Sequence, residues 1–540
     1  MEAWDVLVIG DGPAALRSAA SAAKQGAQTL MLSATALGAG GIAALDGLAS
    51  PVQEMNNKGH REDTITTGDF LCDQDIVSSR TSQAIREMDL LERRGVIFQR
   101  DAKGLPDAST GIGHSKPRVL NSGDGLGQEV QQVLEEQCMR YGVVRRGDQA
   151  PMMIIHNNNS VCGMITADMI NGNFVAIQCK SIILADGGFE QVFSTGKSNL
   201  GMDLGLQCGI PLRGMEFISQ TPMSVKGTKM ILSQGLLNSG ASLHQVDGSP
   251  IEGSTISELC LASKNIDTVV LDARSMGSGS NWWNSVFRNV KQRTGIDLSK
   301  QTIAVENRVD STLGGLPVDE IGRVVIGSWS RWFTGLYAAG ETSCSGFHGA
   351  GLLQGNSLLD SLVGGNSAGQ HAGEWSNKSS FSGASLIKQA LETTIANHES
   401  MFSDNEEDGA VVRIGIVSDK LTELANSFVN GDNDSSTYSQ YLESLEQLSI
   451  LAESIHLDQK SLISNSNMLS MLQTQAGIRL LTCAVQASLA RNESRGLHRR
   501  TDFPEKDEEL LHHITVDREG NTGTLALRKS ETGNWVLTPQ

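Results

Sequence analysis

No stretch of the 540-residue chain holds about 18 consecutive apolar residues, so none is expected to span a bilayer, and membrane association is expected only through a partner. Cysteine is sparse and scattered. Cys72, Cys138, Cys162, Cys179, Cys208, Cys260, Cys344 and Cys483 form no Cys-x-x-Cys pair and no metal-ligand spacing. That excludes an iron–sulfur cluster or other metal site in this polypeptide and reads as reduced thiols of a cytoplasmic chain. Positive charge is in deficit: 43 Lys and Arg stand against 61 Asp and Glu, and the net charge of −18 argues against nucleic acid and anionic lipid surfaces. No internal repeat is evident.

What the chain has appears at its start. Asp5-Val-Leu-Val-Ile-Gly-Asp-Gly-Pro-Ala-Ala15 is a short apolar run, a glycine turn and the start of an alanine-rich stretch, which predicts strand, turn and helix. Gly10 permits the tight turn, Gly12 lets the backbone approach a pyrophosphate, and Ala15, the third small position, lets helix pack on strand. The phosphates would meet the helix N-terminus, where unpaired N–H groups favour anions. A second apolar strand follows over Gln28–Ser33, but it closes on Ser33 instead of Asp or Glu. The carboxylate that grips an NAD ribose is missing, which points away from NAD.

Further landmarks extend the pattern along the chain: Gly40-Gly-Ile42, Asp63–Asp75, Gly113-His-Ser-Lys-Pro-Arg118, Ile183-Leu-Ala-Asp-Gly-Gly188, Gly314-Gly-Leu-Pro317, Gly335–Asp360 and Glu493–Pro504. In this order they resemble the flavoprotein subunits of succinate dehydrogenase and fumarate reductase, together with L-aspartate oxidase. The resemblance covers nearly the whole chain. It implies an α/β fold, with a Rossmann-like FAD-binding domain, an inserted capping domain and a C-terminal helical domain. It also implies an FAD-dependent oxidoreductase in electron transport that moves a hydride between a small-molecule substrate and FAD, with an iron–sulfur subunit as a possible partner. The implied cofactor contacts are Gly10, Gly12, Ala15, Ser33, Gly40, Gly41, Gly187, Gly188, Glu341 (on the ribitol or ribose), Asn356, Ser357 and Leu358. The last three start a helix facing the flavin ring.

The substrate positions depart from the family. Its His-Pro pair reads Thr221-Pro222, its second histidine falls on Asp310, and the arginine of its Asn-Arg-Leu-Gly-Gly-Asn-Ser motif becomes Leu352. The Thr-Glu-Gly-x-Arg-Gly-Glu relay aligns with Ser233–Ser239, and the catalytic arginine falls near Ser257, with Arg274 or Arg308 left as replacements from a shifted loop. A leucine cannot clamp a carboxylate, and an Asp facing a dicarboxylate would repel it, so Asp310 favours a neutral or cationic substrate. His348 is retained, as a hydrogen-bonded turn residue or as a polar group beside the flavin. The histidine that carries covalent FAD in some members is Ala34 here, so FAD is expected to be non-covalent.

By analogy, residues 1–214 form the first part of the FAD-binding domain, 215–312 a capping domain that acts as a mobile lid, 313–375 the second FAD-binding part, 385–500 a helical domain and 501–540 an extension. Within these, Pro151–Ile155 reads as a strand closed by a turn over His156–Ser160. Ser403–Gly409 and Asn430–Ser436 read as acidic loops, 438–491 as helices of a small bundle, and two β-like runs flank Asp517–Gly523. Two alternatives stand beside the oxidoreductase: a catalytically degenerate flavoprotein-like subunit with an assembly or regulatory role, and an L-aspartate oxidase-like enzyme.

Overall fold

The computed structural model describes all residues except 39–45, 53–56, 195–199, 328–330, 401–411 and 540. The chain opens with β1 (Glu2–Ile9), α1 (Pro13–Lys24) and β2 (Thr29–Leu32). Val6, Leu7, Val8 and Ile9 are at most 1% exposed, with Val6 and Val8 in one core cluster and Leu7 and Ile9 in another. Alternation sends neighbouring side chains to opposite faces, so both faces of β1 are covered and the strand reads as one continuous apolar run.

Then come β3 (Val144–Arg146), β4 (Gln149–Asn157), β5 (Ser160–Asp168) and β6 (Asn173–Leu184). β1 lies parallel to β2 and β6, and β2 lies parallel to β3. β4, β5 and β6 form an antiparallel meander. The turn read over His156–Ser160 is tighter than the sequence suggested: Asn158 and Asn159 alone carry it, both at positive φ. Asparagine tolerates that conformation, and a two-residue turn of this kind matches the strands' twist. Pro151 sits inside β4, where the ladder shifts register between Pro151 and Met153. A proline is tolerated there because β4 pairs only with β5 and is an edge.

A second sheet is inserted next. β7 (Ile218–Val225), β8 (Ser242–Gln245), β9 (Val269–Asp272) and β10 (Ile303–Thr312) pair antiparallel in the order β7-β10-β9-β8, with α2 (Ile256–Lys264) packed beside them. Met223, Leu236, Leu271, Trp283 and Ile303 give this layer its own core. The chain returns to the first sheet through β11 (Arg323–Ile326) and β12 (Arg331–Ala338), the latter parallel to the last residues of β6. It then enters α3 (Asn356–Lys378).

α3 lies against α1 through glycines spaced four apart, which share one helix face. A Cβ on Gly365 would come 2.7 Å from the Ala14 carbonyl oxygen, on Gly369 2.1 Å from that of Ser18, and on Gly373 2.7 Å from that of Ala22. Only hydrogen fits between these backbones. Gly369→Leu is therefore expected to force the helices apart and cost at least about 3 kcal/mol, the upper range for overpacking a core. A lowered urea midpoint, or no folded protein at all, is the readout.

The C-terminal part consists of α4 (Ala384–Ser400), α5 (Ile414–Asn430), α6 (Ser435–Glu453) and α7 (Ser466–Ala490). The acidic run Ser403–Gly409 lies outside the described residues, and the run after Asn430 shrinks to a short link because α6 starts at Ser435, capped by Asp434. Among the described residues no helix is long and apolar enough to cross a membrane. The tail folds as β13 (His512–Val516) and β14 (Thr522–Ala526), antiparallel, with β13 pairing Leu212–Arg213. A buried ionic knot anchors it. Asp73 accepts from Arg213 Nη1 at 3.0 Å and from the Arg528 backbone N–H at 2.8 Å, and His513 Nε2 lies 3.3 Å from it.

Candidate functional site

Gly10, Ala185 and Ala339 follow directly on the carboxyl ends of β1, β6 and β12, and all three line one cleft. At about 250 Å³ it far exceeds two other cavities of about 60 and 10 Å³. An open parallel sheet binds its ligand in such a crevice. Gly10 has φ +125°, and a Cβ there would lie 2.2 Å from the Ala185 carbonyl oxygen, so no other residue lets β1 turn at this point.

Two helices start at the cleft. α1 begins after Gly12 and α3 after Gly355, neither with a side-chain cap. Gly12, Pro13, Ala14, Ser357, Leu358 and Ser361 all line the space. Uncapped N–H groups and the positive ends of two helix dipoles thus face one volume, which favours a ligand with negative charge at those points.

The remaining lining is acidic. Asp11, Asp46, Asp186, Glu190, Asp310 and Glu341 contribute six carboxyl groups, and no Lys, Arg or His among the described residues lines the cleft. Burial pushes Asp46 up to about 6. Burial, and then neighbouring Asp46, push Asp310 up to about 7, while burial, Glu190 and Asp310 push Glu341 up to about 8. Glu190 is also raised by burial, though Thr312 donates to it from both its N–H and Oγ1. Ser311 Oγ donates to Glu341 at 2.6 Å. Crowded carboxyl groups cannot all ionise, so some keep their protons near neutrality.

The FAD binding domain model matches residues 5–358, and the fumarate reductase flavoprotein C-terminal model matches residues 420–539. The chain belongs to the succinate dehydrogenase/fumarate reductase flavoprotein family. It is 27% identical to the fumarate reductase flavoprotein subunit of Mycobacterium tuberculosis, over 96% of each chain. It is 25% identical to that of Escherichia coli, over 99% of this chain and 95% of the relative. A quinol-fumarate reductase structure with menaquinol superposes with TM-score 0.90 at 23% identity, covering 100% of both chains.

FAD is the cofactor of this flavoprotein, and the cleft fits it. The uncapped start of α1 beyond Gly10 suits the pyrophosphate, and the start of α3 offers N–H groups to the flavin end. Of the residues expected to touch FAD, Gly10, Gly12, Ser33, Gly187, Glu341, Ser357 and Leu358 line the cleft. Gly40 and Gly41 lie outside the described residues. Three others do not line the cleft. Ala15 is fully buried in the core beneath the turn. Gly188 packs on β10, where a Cβ would sit 2.0 Å from Thr312 Oγ1. Asn356 turns away to donate from Nδ2 to Thr64 Oγ1 and to pair its Oδ1 with His60 Nε2 at 2.8 Å.

The substrate positions divide the same way. Asp310 and Leu352 line the cleft, whereas Thr221, Ser257 and His348 do not. Thr221 is buried in β7 with an unpartnered Oγ1. Ser257 sits in the first turn of α2 near Gly351, and its neighbour Ile256 faces the cleft instead. His348 lines a separate pocket of about 10 Å³, with Nε2 3.7 Å from Asp360, and burial lowers its basicity. Nor does an arginine refill the space: Arg274 pairs with Asp272, and Arg308 donates to the Thr228 carbonyl. Asp46, Glu190, Ser219 and Ser311 are among the lining residues that motif reading did not single out, and Gln234 entered it only within the Ser233–Ser239 segment.

Proposed function

We propose that this flavoprotein is an FAD-dependent oxidoreductase that no longer acts on succinate or fumarate. When bound, FAD supplies the hydride acceptor; the chain orients it and shapes the substrate space. The observation that carries the reading is the lining beside that space. A dianion there would meet Asp46 and Asp310, and among the described residues that line the cleft there is no guanidinium or imidazole to replace its lost water. Burying carboxylates without cationic partners costs several kcal/mol per ion. The same lack argues against an L-aspartate oxidase-like reaction, whose substrate also carries two carboxylates. FAD is held non-covalently in this reading, since the cleft wall at Ala34 offers no nucleophile. An iron–sulfur subunit is the proposed electron acceptor, and membrane contact runs through such partners. Residues 215–312 act as the proposed lid over the flavin, between the two parts of the FAD-binding domain.

An anaerobic absorption spectrum tests the reading. The oxidised flavin bands are expected to persist after excess succinate, and dithionite-reduced protein is expected to stay reduced with fumarate. Bleaching by succinate would overturn it. A purified chain that carries no flavin and takes none up on incubation with FAD would favour the degenerate, assembly or regulatory subunit.

A further inference from the structure

We propose that the substrate end of the cleft takes a small cationic amine, with Asp46 and Asp310 as counter-charges for its ammonium group and Gln234 Oε1 as an added acceptor. The inference rests on the oxidoreductase reading and narrows it to a substrate class.

Gln234 is the independent pointer. Its side chain lines the cleft, only 3% of the residue is exposed, and its Oε1 has no hydrogen-bond partner. A buried carbonyl oxygen left unpaired forfeits its hydration, so a donor arriving in the cleft recovers that loss. The same residue is tied to the acid: the Gln234 backbone N–H donates to Asp46 Oδ1 at 2.8 Å, and Ser233 Oγ approaches the same oxygen at 3.4 Å. Asp46 is thereby held in one orientation. Asp310 is positioned by Ser219, yet its Oδ1 is buried without a partner. Two acceptors without donors and an oriented carboxylate require a group that donates several hydrogen bonds. An ammonium donates three and neutralises charge as well.

The surroundings fit the rest of such a molecule. Ile231, Ile256 and Leu352 line the same space and suit an alkyl chain. Burial raises Asp46, and burial together with the nearby Asp46 raises Asp310, so both are partly protonated near neutrality, and a cation between them would favour their ionised forms. A neutral alcohol would satisfy one acceptor and leave that electrostatic gain unrealised. A dicarboxylate would add charge of the wrong sign, which is discrimination by repulsion.

The test uses the FAD-loaded protein and two readouts that need no turnover: flavin difference absorbance and calorimetric titration. The probes are n-butylamine, n-butanol and succinate. Saturable binding of n-butylamine is expected, with n-butanol at least about tenfold weaker, as a lost buried charge pair implies, and no binding of succinate. Asp310→Asn should weaken n-butylamine at least about tenfold and leave n-butanol nearly unchanged. Should Asp310→Asn fail to fold, Leu352→Arg, which places a cation in the cleft lining, is expected to abolish amine binding. Retained flavin marks that variant as folded. Absence of saturable n-butylamine binding, succinate binding as tight as the amine, or unchanged amine affinity in either folded variant would overturn the proposal. A chain that takes up no flavin refutes the oxidoreductase reading instead, and calorimetry of that same chain with n-butylamine still decides the amine site.

Discussion

A Gly10→Val protein is expected to be purified without its flavin colour. The residue sits at φ +125°, where side chains are strained, and a Cβ would stand 2.2 Å from the Ala185 carbonyl oxygen. A β-branched residue in that region costs about 1–3 kcal/mol before any clash is counted. Relief requires the end of β1 to move away from the end of β6. That movement shifts Gly12 and the start of α1, so the N–H groups no longer converge on the pyrophosphate. The flavin-to-protein absorbance ratio is expected to fall to less than about a tenth, since losing about 1.4 kcal/mol already costs tenfold in affinity. Gly26→Ala is the matched control. Gly26 also has positive φ, +88°, but a Cβ there meets nothing within 4 Å, so its flavin content should be unchanged.

Asp73→Leu is expected to destabilise the chain by about 3–5 kcal/mol, the range for removing one partner of a buried ion pair. The side chains of Asp73 and Arg213 are both 0% exposed, so the variant strands a guanidinium without its counter-charge. Arg528 and His513 lose their acceptor as well, and both belong to the tail. Hydrogen exchange should therefore show protection lost first over 512–528, ahead of the rest of the chain.

The same knot sets a pH dependence with a definite sign. Burial alone would raise the Asp73 carboxyl, but His513, Arg213 and Arg528 outweigh it and hold the group well below the usual carboxylate range. Burial pushes His513 down to about 4, so at neutral pH it is an uncharged hydrogen-bond partner and the two arginines balance the charge. A carboxylate lowered on folding adds stability above its unfolded pKa of about 3.9, and that contribution is lost as pH falls through and below this value. Asp310 acts in the opposite sense. Raised to about 7, it binds its proton more tightly when folded, so its contribution falls as pH rises from about 4 to about 7. Denaturation midpoints between about pH 4 and 7 should rise more steeply with pH in Asp310→Asn than in the parent chain, and those below about pH 4 should rise less steeply in Asp73→Leu.

Much of the fold was legible because its signals are local. The apolar run from Val6 to Ile9, the glycine turn and the small residues of α1 declare strand, turn and helix within a few positions, and the tail's β-like runs declare the hairpin of β13 and β14. The turn after β4 was placed correctly but drawn too wide, because three asparagines in a row do not say which two adopt positive φ. Of the residues expected to touch FAD at the start of α3, Ser357 and Leu358 line the cleft and Asn356 does not. Successive helical residues are rotated by about 100°, so a motif names neighbours that face different ways. His348 shows the same limit: the motif retains it, while packing points its ring toward Asp360 in another pocket.

The sequence by itself determined the family and the cofactor. Both follow from which residue types occupy ordered motifs. Only the tertiary structure decided which side chains line the cleft. Asp46 follows the glycine pair, Gln234 lies between the inserted sheet's first two strands, and Asp310 is on its last strand; no local pattern links them. Folding gathers them at one cleft because the carboxyl ends of parallel strands converge there and the inserted sheet delivers its residues to the same opening. The charge of the site is a property of that gathering, and buried carboxyl groups acquire their proton affinities from neighbours that are distant in the chain.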